Sequence, residues 1–364
     1  MEFGIFSNGE RHNSVAADSY DEDLYEIKLV DRLGFREAWI SEHLRGLGQT
    51  RPDALSAADL FICRAAAVTK QIRLGPGVRP IALYHPIQVA LEAAVCDHLT
   101  RGRYLFGFGV GVPNDNGMSA RGLGEDTIAV RRARMHESID LIQRCWVAKE
   151  PFDFEGEFWQ GKNIYVMPKP YTQPHMPVGV ASSTTLGTMQ LAARSGFLPI
   201  LSQYDNTEHM REHAEGYVAA AKEAGREAKR SDIRACRFVY VSDSVQKAKD
   251  ELRPTIGPSV VAHVATNPRY YGKFVPASGR MEDITWDHLV DTGFFFVGDP
   301  DTVYERIVQH YDESGGYGAL LLVLGKDYGT RQLRTRSLRL FASEVAPRLH
   351  DLNPDRELAA AAVS

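Results

Sequence analysis

The chain has 364 residues, 44% hydrophobic and 24% charged, with a formal net charge of -5. That length suits one large α/β domain with insertions, and the apolar share suits a sizeable core. The mild negative charge gives no electrostatic reason to expect nucleic acid. No run of about 18 apolar residues offers a membrane span, and the start MEFGIFSNGE lacks a leader pattern, so a cytoplasmic setting is expected.

Glu2–Phe6 reads as a short apolar strand, followed by a polar, turn-rich loop. Acidic residues Asp21, Glu22 and Asp23 favour a helix start, and the helix runs to Leu33. Gly34 ends it, because a residue without Cβ takes the left-handed turn that closes a helix. Ala38, Trp39 and Ile40 then form a strand with Glu42 and His43 at its carboxyl end. In sheets whose strands alternate with helices, ligands collect at such ends. The helix expected over Asp53–Val68 is rich in Ala, which suits a close contact between helices or subunits.

Gln71–Val78, QIRLGPGV, is the third strand, and its Gly75, Pro76 and Gly77 mark a distorted strand end. His85-Pro86 opens a helix to about His98, with Pro86 suited to the first turn. Arg103–Gly111, RYLFGFGVG, is a strand whose glycines are spaced G-x-G-x-G. No helix follows where a dinucleotide fingerprint needs one, so the small residues read as the face for a flat ring. The helix Asp126–Trp146 carries Arg131, Arg132, Arg134 and Arg144, expected as a solvated or salt-bridged face. Phe152–Pro168 interleaves aromatic and polar residues and reads as a β-excursion.

Pro177–Ala181 is a strand followed by Ser182, Ser183, Thr184, Thr185, Leu186, Gly187 and Thr188 at a helix start. Hydroxyls, a glycine and a positive dipole end together make an anion site suited to phosphate. Strands follow at Gly196–Gln203 and Ile233–Ser242. Arg253–Asp291, broken by Gly257, Pro258, Pro268, Gly272 and Pro276, is expected to be irregular, a lid or a substrate wall. Phe294–Val297 is a spare strand before a helix over Thr302–Ser314, and Ala319–Leu324 is the last strand. The four cysteines, Cys63, Cys96, Cys145 and Cys236, show no metal or redox spacing and are expected as buried free thiols.

Eight strands, near Gly4, Trp39, Leu74, Phe106, Val178, Ile200, Phe238 and Leu321, almost all precede helices. Right-handed crossovers close such a series into a (β/α)8 TIM barrel. We expect one barrel domain over residues 1–350, with insertions at about 151–176 and 253–291 and a tail over 351–364. An open doubly wound sheet is the competing fold.

EFGIF, GFREAWISEHL, QIRLGPGVRPIALYHP, TRGRYLFGFGVG, RRARMHESIDLIQRCW, ASSTTLGTMQLAARSG and FFFVGDPDTVYERIVQHYDESGGYGALLLV follow one another along nearly the whole chain. In that order and spacing the sequence resembles the bacterial luciferase-like flavin-dependent monooxygenases, most of all the diketocamphane and limonene monooxygenase branch. The resemblance implies a two-component system in which a separate NAD(P)H:flavin reductase delivers reduced FMN (FMNH2). Reaction with O2 would then form a C4a-(hydro)peroxyflavin that oxidises a small to medium apolar organic substrate.

The resemblance also implies site residues. His43 matches the histidine held near flavin and peroxide, and imidazole as a residue type moves protons near neutrality. Gly77 and Val78 match the bulged strand end, often with a non-prolyl cis peptide, that supports the flavin ring, and Gly109 the small residue under it. Thr184, Thr185, Gly187 and Thr188 match the phosphate turn, and Ser202 a pocket-lining strand end. Phe6, Tyr84, Trp159 and Tyr204 are candidate substrate walls. Two positions depart from the luciferase pattern: Leu44 replaces a second histidine, and Val110 replaces an arginine expected to hold phosphate. Arg79, Arg121 or another cation would have to take that role. Related proteins are usually homodimers, and neither a metal nor a nucleic-acid partner is expected. A deazaflavin-dependent oxidoreductase on the same fold, or a silent flavin-binding homologue, are the alternatives.

Overall fold

A computed structural model of the chain describes residues 1–7, 16–43, 57–111, 118–125, 127–182, 186–227, 229–265, 274–324 and 329–356. Among the described residues the strands are β1 (Glu2–Ser7), β2 (Glu37–Ile40), β3 (Arg73–Pro76), β4 (Arg79–Pro80), β5 (Phe106–Gly109), β6 (Phe152–Glu155), β7 (Gln160–Ile164), β8 (Val178–Ser182), β9 (Leu198–Leu201), β10 (Arg234–Val241), β11 (Phe296–Gly298) and β12 (Ala319–Leu324). The helices between them include α1 (Ala16–Arg32), α2 (Ala58–Ala66), α3 (Pro86–Thr100), α4 (Ile128–Val147), α5 (Leu186–Ser195), α6 (Thr207–Glu223), α7 (Val245–Leu252) and α8 (Ile256–Ala265).

The main sheet runs β3-β2-β1-β12-β10-β9-β8-β5-β4, and every pairing in it is parallel. β3 and β4 are two halves of one barrel strand. The first half reaches the segment entering β5 through Leu74 N–H to Arg103 O (2.8 Å) and Leu105 N–H to Leu74 O (2.9 Å). The second half pairs with β5 itself, Arg79 opposite Phe108 and Pro80 opposite Gly109. The ring therefore closes, as the eight-strand count predicts. β11, the spare strand, pairs with the outer end of β10.

Closure is tight where the two halves meet β5, and glycine makes it feasible. A Cβ on Gly75 would stand 2.5 Å from the Leu105 carbonyl, and one on Gly107 would fall on the Pro76 carbonyl. Gly107 and Gly179 also leave room for the indole of Trp39, which crosses the lumen: Cβ atoms there would lie 2.8 and 2.7 Å from it. Below Trp39, at the amino ends of the strands, the Glu37 carboxylate takes Arg234 (2.8 Å), Arg73 (2.6 Å) and the Trp39 indole N–H (2.8 Å). The lumen is thus plugged from below and filled by Trp39, Leu105, Cys236, Phe238, Leu321 and Val323. Ligand access is left to the carboxyl rim.

Several expectations need correction. Among the described residues of 253–291 the chain is not irregular throughout: α8 and the helix Trp286–Asp291 are regular elements. Gly257 and Pro258 read as breakers, yet both lie in the first turn of α8, where a missing N–H costs nothing. α1 begins at Ala16, earlier than its acidic cluster. Arg131 is not on a solvated face but fully buried beside the end of β5, and Arg134 and Arg144 lie over aromatic rings. The β-excursion is an antiparallel hairpin, β6–β7. Its tip is held by the Glu137 carboxylate, which accepts the N–H groups of Glu157, Phe158 and Trp159 at 2.6–3.1 Å.

Candidate active site

β2 delivers Ser41, Glu42 and His43 to the carboxyl rim. Glu42 is buried, and both of its oxygens are engaged: Tyr84 Oη donates to Oε1 at 2.6 Å, and Ala58 N–H, at the start of α2, to Oε2 at 3.4 Å. The guanidinium of Arg79 lies 4.5 Å over the Tyr84 ring and pairs with Asp59 (2.7 Å) and Glu92 (2.5 Å). Tyr104 Oη donates to the other Asp59 oxygen at 2.6 Å. Arg79 is therefore committed to α2 and α3 and is removed as a replacement phosphate ligand. The guanidinium of Arg121 stands 5.4 Å over Tyr84, with its residue exposed at the surface.

Three carboxylates, Glu42, Asp59 and Glu92, face one buried cation, Arg79. Burial pushes the Glu42 carboxyl up to about 7, against the opposing pull of Arg79 and the Tyr84 hydrogen bond. Folded Glu42 thus keeps its proton where the unfolded chain has lost it. Its ionisation costs nothing below the ordinary value of 4.5, and the cost is complete above about 7. Glu42→Gln, which stays neutral, should gain stability relative to wild type between about pH 5 and pH 8, by at most ~3 kcal/mol. Urea unfolding at the two pH values measures this, and a pH-independent difference contradicts it.

Beside this network, β3 passes into β4 through Gly77-Val78, a non-prolyl cis peptide, as the resemblance implied. A Cβ on Gly77 would lie 2.8 Å from Trp39 Cβ and 2.9 Å from the Phe6 ring, and one on Gly109 would lie 2.7 Å from Val78 Cγ2. Phe6, Gly77, Val78 and Gly109 therefore share one patch of the rim, above Trp39. Tyr204 belongs to the same lumenal cluster, packed on Phe238 and parallel to Phe294 (6.4 Å). Trp159 does not: it sits on the hairpin, with Nε1 donating to Ser138 Oγ (2.9 Å) and its ring against His85. Tyr84 reaches the rim through its bond to Glu42 rather than as an open wall.

Next to β5, β8 ends at Ser182, whose buried Oγ has no hydrogen-bond partner among the described residues; buried Ser41 Oγ, at the end of β2, has none among them either. Gly187 and Thr188 lie in the first turn of α5, and among the described residues beyond its own turn no atom comes within 4 Å of a Cβ built on Gly187. Thr184 and Thr185 lie outside the described residues. Ser202 is tied into a local turn: its N–H donates to Asp205 Oδ2 and its Oγ accepts from Tyr204 N–H, both at 3.2 Å. Burial pushes the Asp205 carboxyl up to about 7. Sequence reasoning missed the Arg79–Asp59–Glu92 network, since its partners arrive on helices and only the apolar setting of Arg79-Pro80 hinted at a buried cation.

A closed parallel barrel, plugged below and bearing small residues, a histidine and unpartnered hydroxyls on its carboxyl rim, is the architecture of an α/β-barrel enzyme. The family model described as luciferase-like monooxygenase matches residues 1–318, and the chain belongs to that family. It is 31% identical to 4-hydroxyprotoasukamycin monooxygenase of Streptomyces nodosus subsp. asukaensis, over 90% of this chain and 86% of that one. It is 28% identical to limonene 1,2-monooxygenase of Rhodococcus erythropolis, over 97% and 88%. Among solved structures, the oxygenating constituent of 3,6-diketocamphane monooxygenase from Pseudomonas putida, a type II Baeyer-Villiger enzyme in complex with FMN, superposes with a TM-score of 0.84. That match is at 25% identity and covers 97% of this chain and 99% of that one.

Proposed function

We propose that the protein is the oxygenating component of a two-component flavin monooxygenase. It would take reduced FMN from a separate NAD(P)H:flavin reductase and use O2 to oxidise a small to medium apolar molecule, a cyclic ketone or alkene of terpenoid type. The observation that carries this reading is the close approach of Val78 to Gly109 on the rim, beside the Gly77-Val78 cis peptide, where a Cβ on Gly109 would not fit. The buried, unpartnered Ser182 hydroxyl beside the first turn of α5 suits the phosphate at the other end of the coenzyme. Limonene and diketocamphane turnover by relatives supports the substrate class, and the description of one as an oxygenating constituent supports the reductase partner.

When bound, the reduced flavin supplies the electrons that activate O2. The chain's residues would do the rest. Val78 and Gly109 would seat the ring, and Ser182, Gly187, Thr188 and the Thr184–Thr185 turn would hold the phosphate. Phe6 and Tyr204 would give the substrate an apolar wall that excludes water. His43 would hold or move the proton at the reacting oxygen. Turnover with a flavin reductase, NADH and 18O2 over a ketone and alkene panel tests this: one 18O atom in the product is expected. NADH consumption with only H2O2 formed across the panel would contradict it.

A further inference from the structure

Cys63 and Cys96 lie far apart in the sequence, yet α2 and α3 bring their Sγ atoms to 3.5 Å. Cys63 is half-buried, on the outward side of α2 beside exposed Leu60 and Arg64, whereas Cys96 is buried beneath it. The hydrogen bond from Cys96 lowers the Cys63 thiol below its ordinary value, against burial and the Asp59 charge one turn away. The same bond and burial hold Cys96 up as the protonated partner. Burial pushes Cys145 up to about 11, and burial with the Asp205 charge raises buried Cys236 as well. Of the four thiols Cys63 alone is not buried in the chain, it is the one held below its ordinary value, and its neighbour is already in contact.

We infer that Cys63 and Cys96 form a peroxide-responsive dithiol that closes to a disulfide joining α2 to α3. The Cys63 thiolate attacks one oxygen of hydrogen peroxide; the O–O bond breaks, hydroxide leaves, and Cys63 becomes a sulfenic acid. Cys96 then gives up its proton, and its sulfur attacks Cys63 Sγ. The S–S bond forms, the S–O bond breaks, and the oxygen departs as water. In sum, two thiols and one H2O2 give a disulfide and two waters. The sulfurs are oxidised by two electrons and the peroxide is reduced by two. The thiols must close by about 1.5 Å to reach bonding distance, a movement within the reach of side-chain rotation. The bond would tie together the two helices that supply Asp59 and Glu92 to Arg79.

The test treats the native, full-length protein with H2O2, blocks remaining thiols by alkylation after denaturation, and maps unreduced tryptic peptides. The expected result is loss of two of the four alkylatable thiols and a cross-link between peptides 46–64 and 74–101. The cross-link should disappear in Cys63→Ser and in Cys96→Ser and persist in Cys145→Ser. Four thiols still alkylated, Cys63 carried to sulfinic acid with Cys96 free, or a cross-link between two copies of the chain would each overturn the assignment. The wild-type peptide map decides on its own should a variant fail to fold.

Discussion

His43→Ala is expected to lower coupled oxygen insertion by about a hundredfold or more, while O2 and reduced FMN continue to be consumed and yield H2O2. The argument rests on how the rim is built. The preceding residue, Glu42, is anchored at both oxygens, by Tyr84 and by the first turn of α2, and Arg79 braces Tyr84 from behind. Removing the His43 imidazole leaves that frame in place, so the variant should fold with an unchanged melting temperature and bind reduced FMN nearly as tightly. A merely structural histidine would weaken flavin binding and stability together. The discriminating readout is the ratio of product to H2O2 per NADH, measured with the reductase present. A full product yield in the variant, or loss of flavin affinity in step with activity, would remove His43 from the reaction.

The second large effect is on stability. Glu37→Gln should destabilise the fold by about 3–5 kcal/mol, because it strands buried Arg234 without its counter-charge at the base of the lumen. The same carboxylate orients the Trp39 indole, which in turn meets Gly107 and Gly179, so the damage should reach the underside of the rim. The pH dependence has a definite sign. Burial pushes the Glu37 carboxyl up, but Arg234 and Arg73 outweigh burial and hold it below its ordinary value of 4.5. Its contribution is therefore fully present above about pH 4.5 and is lost as the pH falls through the lower folded value. Urea unfolding at several pH values should show the gap between wild type and variant narrowing in acid. Equal stability near neutrality would contradict the role given to this ion pair.

The barrel was legible because its strands are short apolar runs broken by amphipathic helices, each run ending in polar or small residues. Gly75, Pro76 and Gly77 marked the distorted strand end where β3 breaks from β4; the glycines of β5 read as the face for a flat ring, whereas in the structure Gly107 serves the close approach to Pro76. What sequence patterns could not supply were contacts between distant elements. No local pattern links Asp59 or Glu92 to Arg79, which the sequence offered as a phosphate ligand; the three meet only because α2, β4 and α3 converge. Cys63 and Cys96 carry no spacing motif, since their contact depends on the packing of two helices. Pro258 misled because a proline's meaning changes with its position in a helix, and Arg131 because a charge run says nothing about which member faces the core. Of the hydroxyl-rich run, Ser182 ends β8 and Gly187 and Thr188 lie in the first turn of α5, while Thr184 and Thr185 lie outside the described residues.

Everything proposed for this rim depends on reduced FMN lying between the Val78–Gly109 patch and the start of α5. Anaerobic titration of the purified protein with reduced FMN, reduced riboflavin and a reduced deazaflavin tests that most directly. Saturable binding of reduced FMN, clearly tighter than that of riboflavin, which lacks the phosphate, and of the deazaflavin, is the result expected. No saturable binding of reduced FMN, or equal affinity for riboflavin, would contradict it.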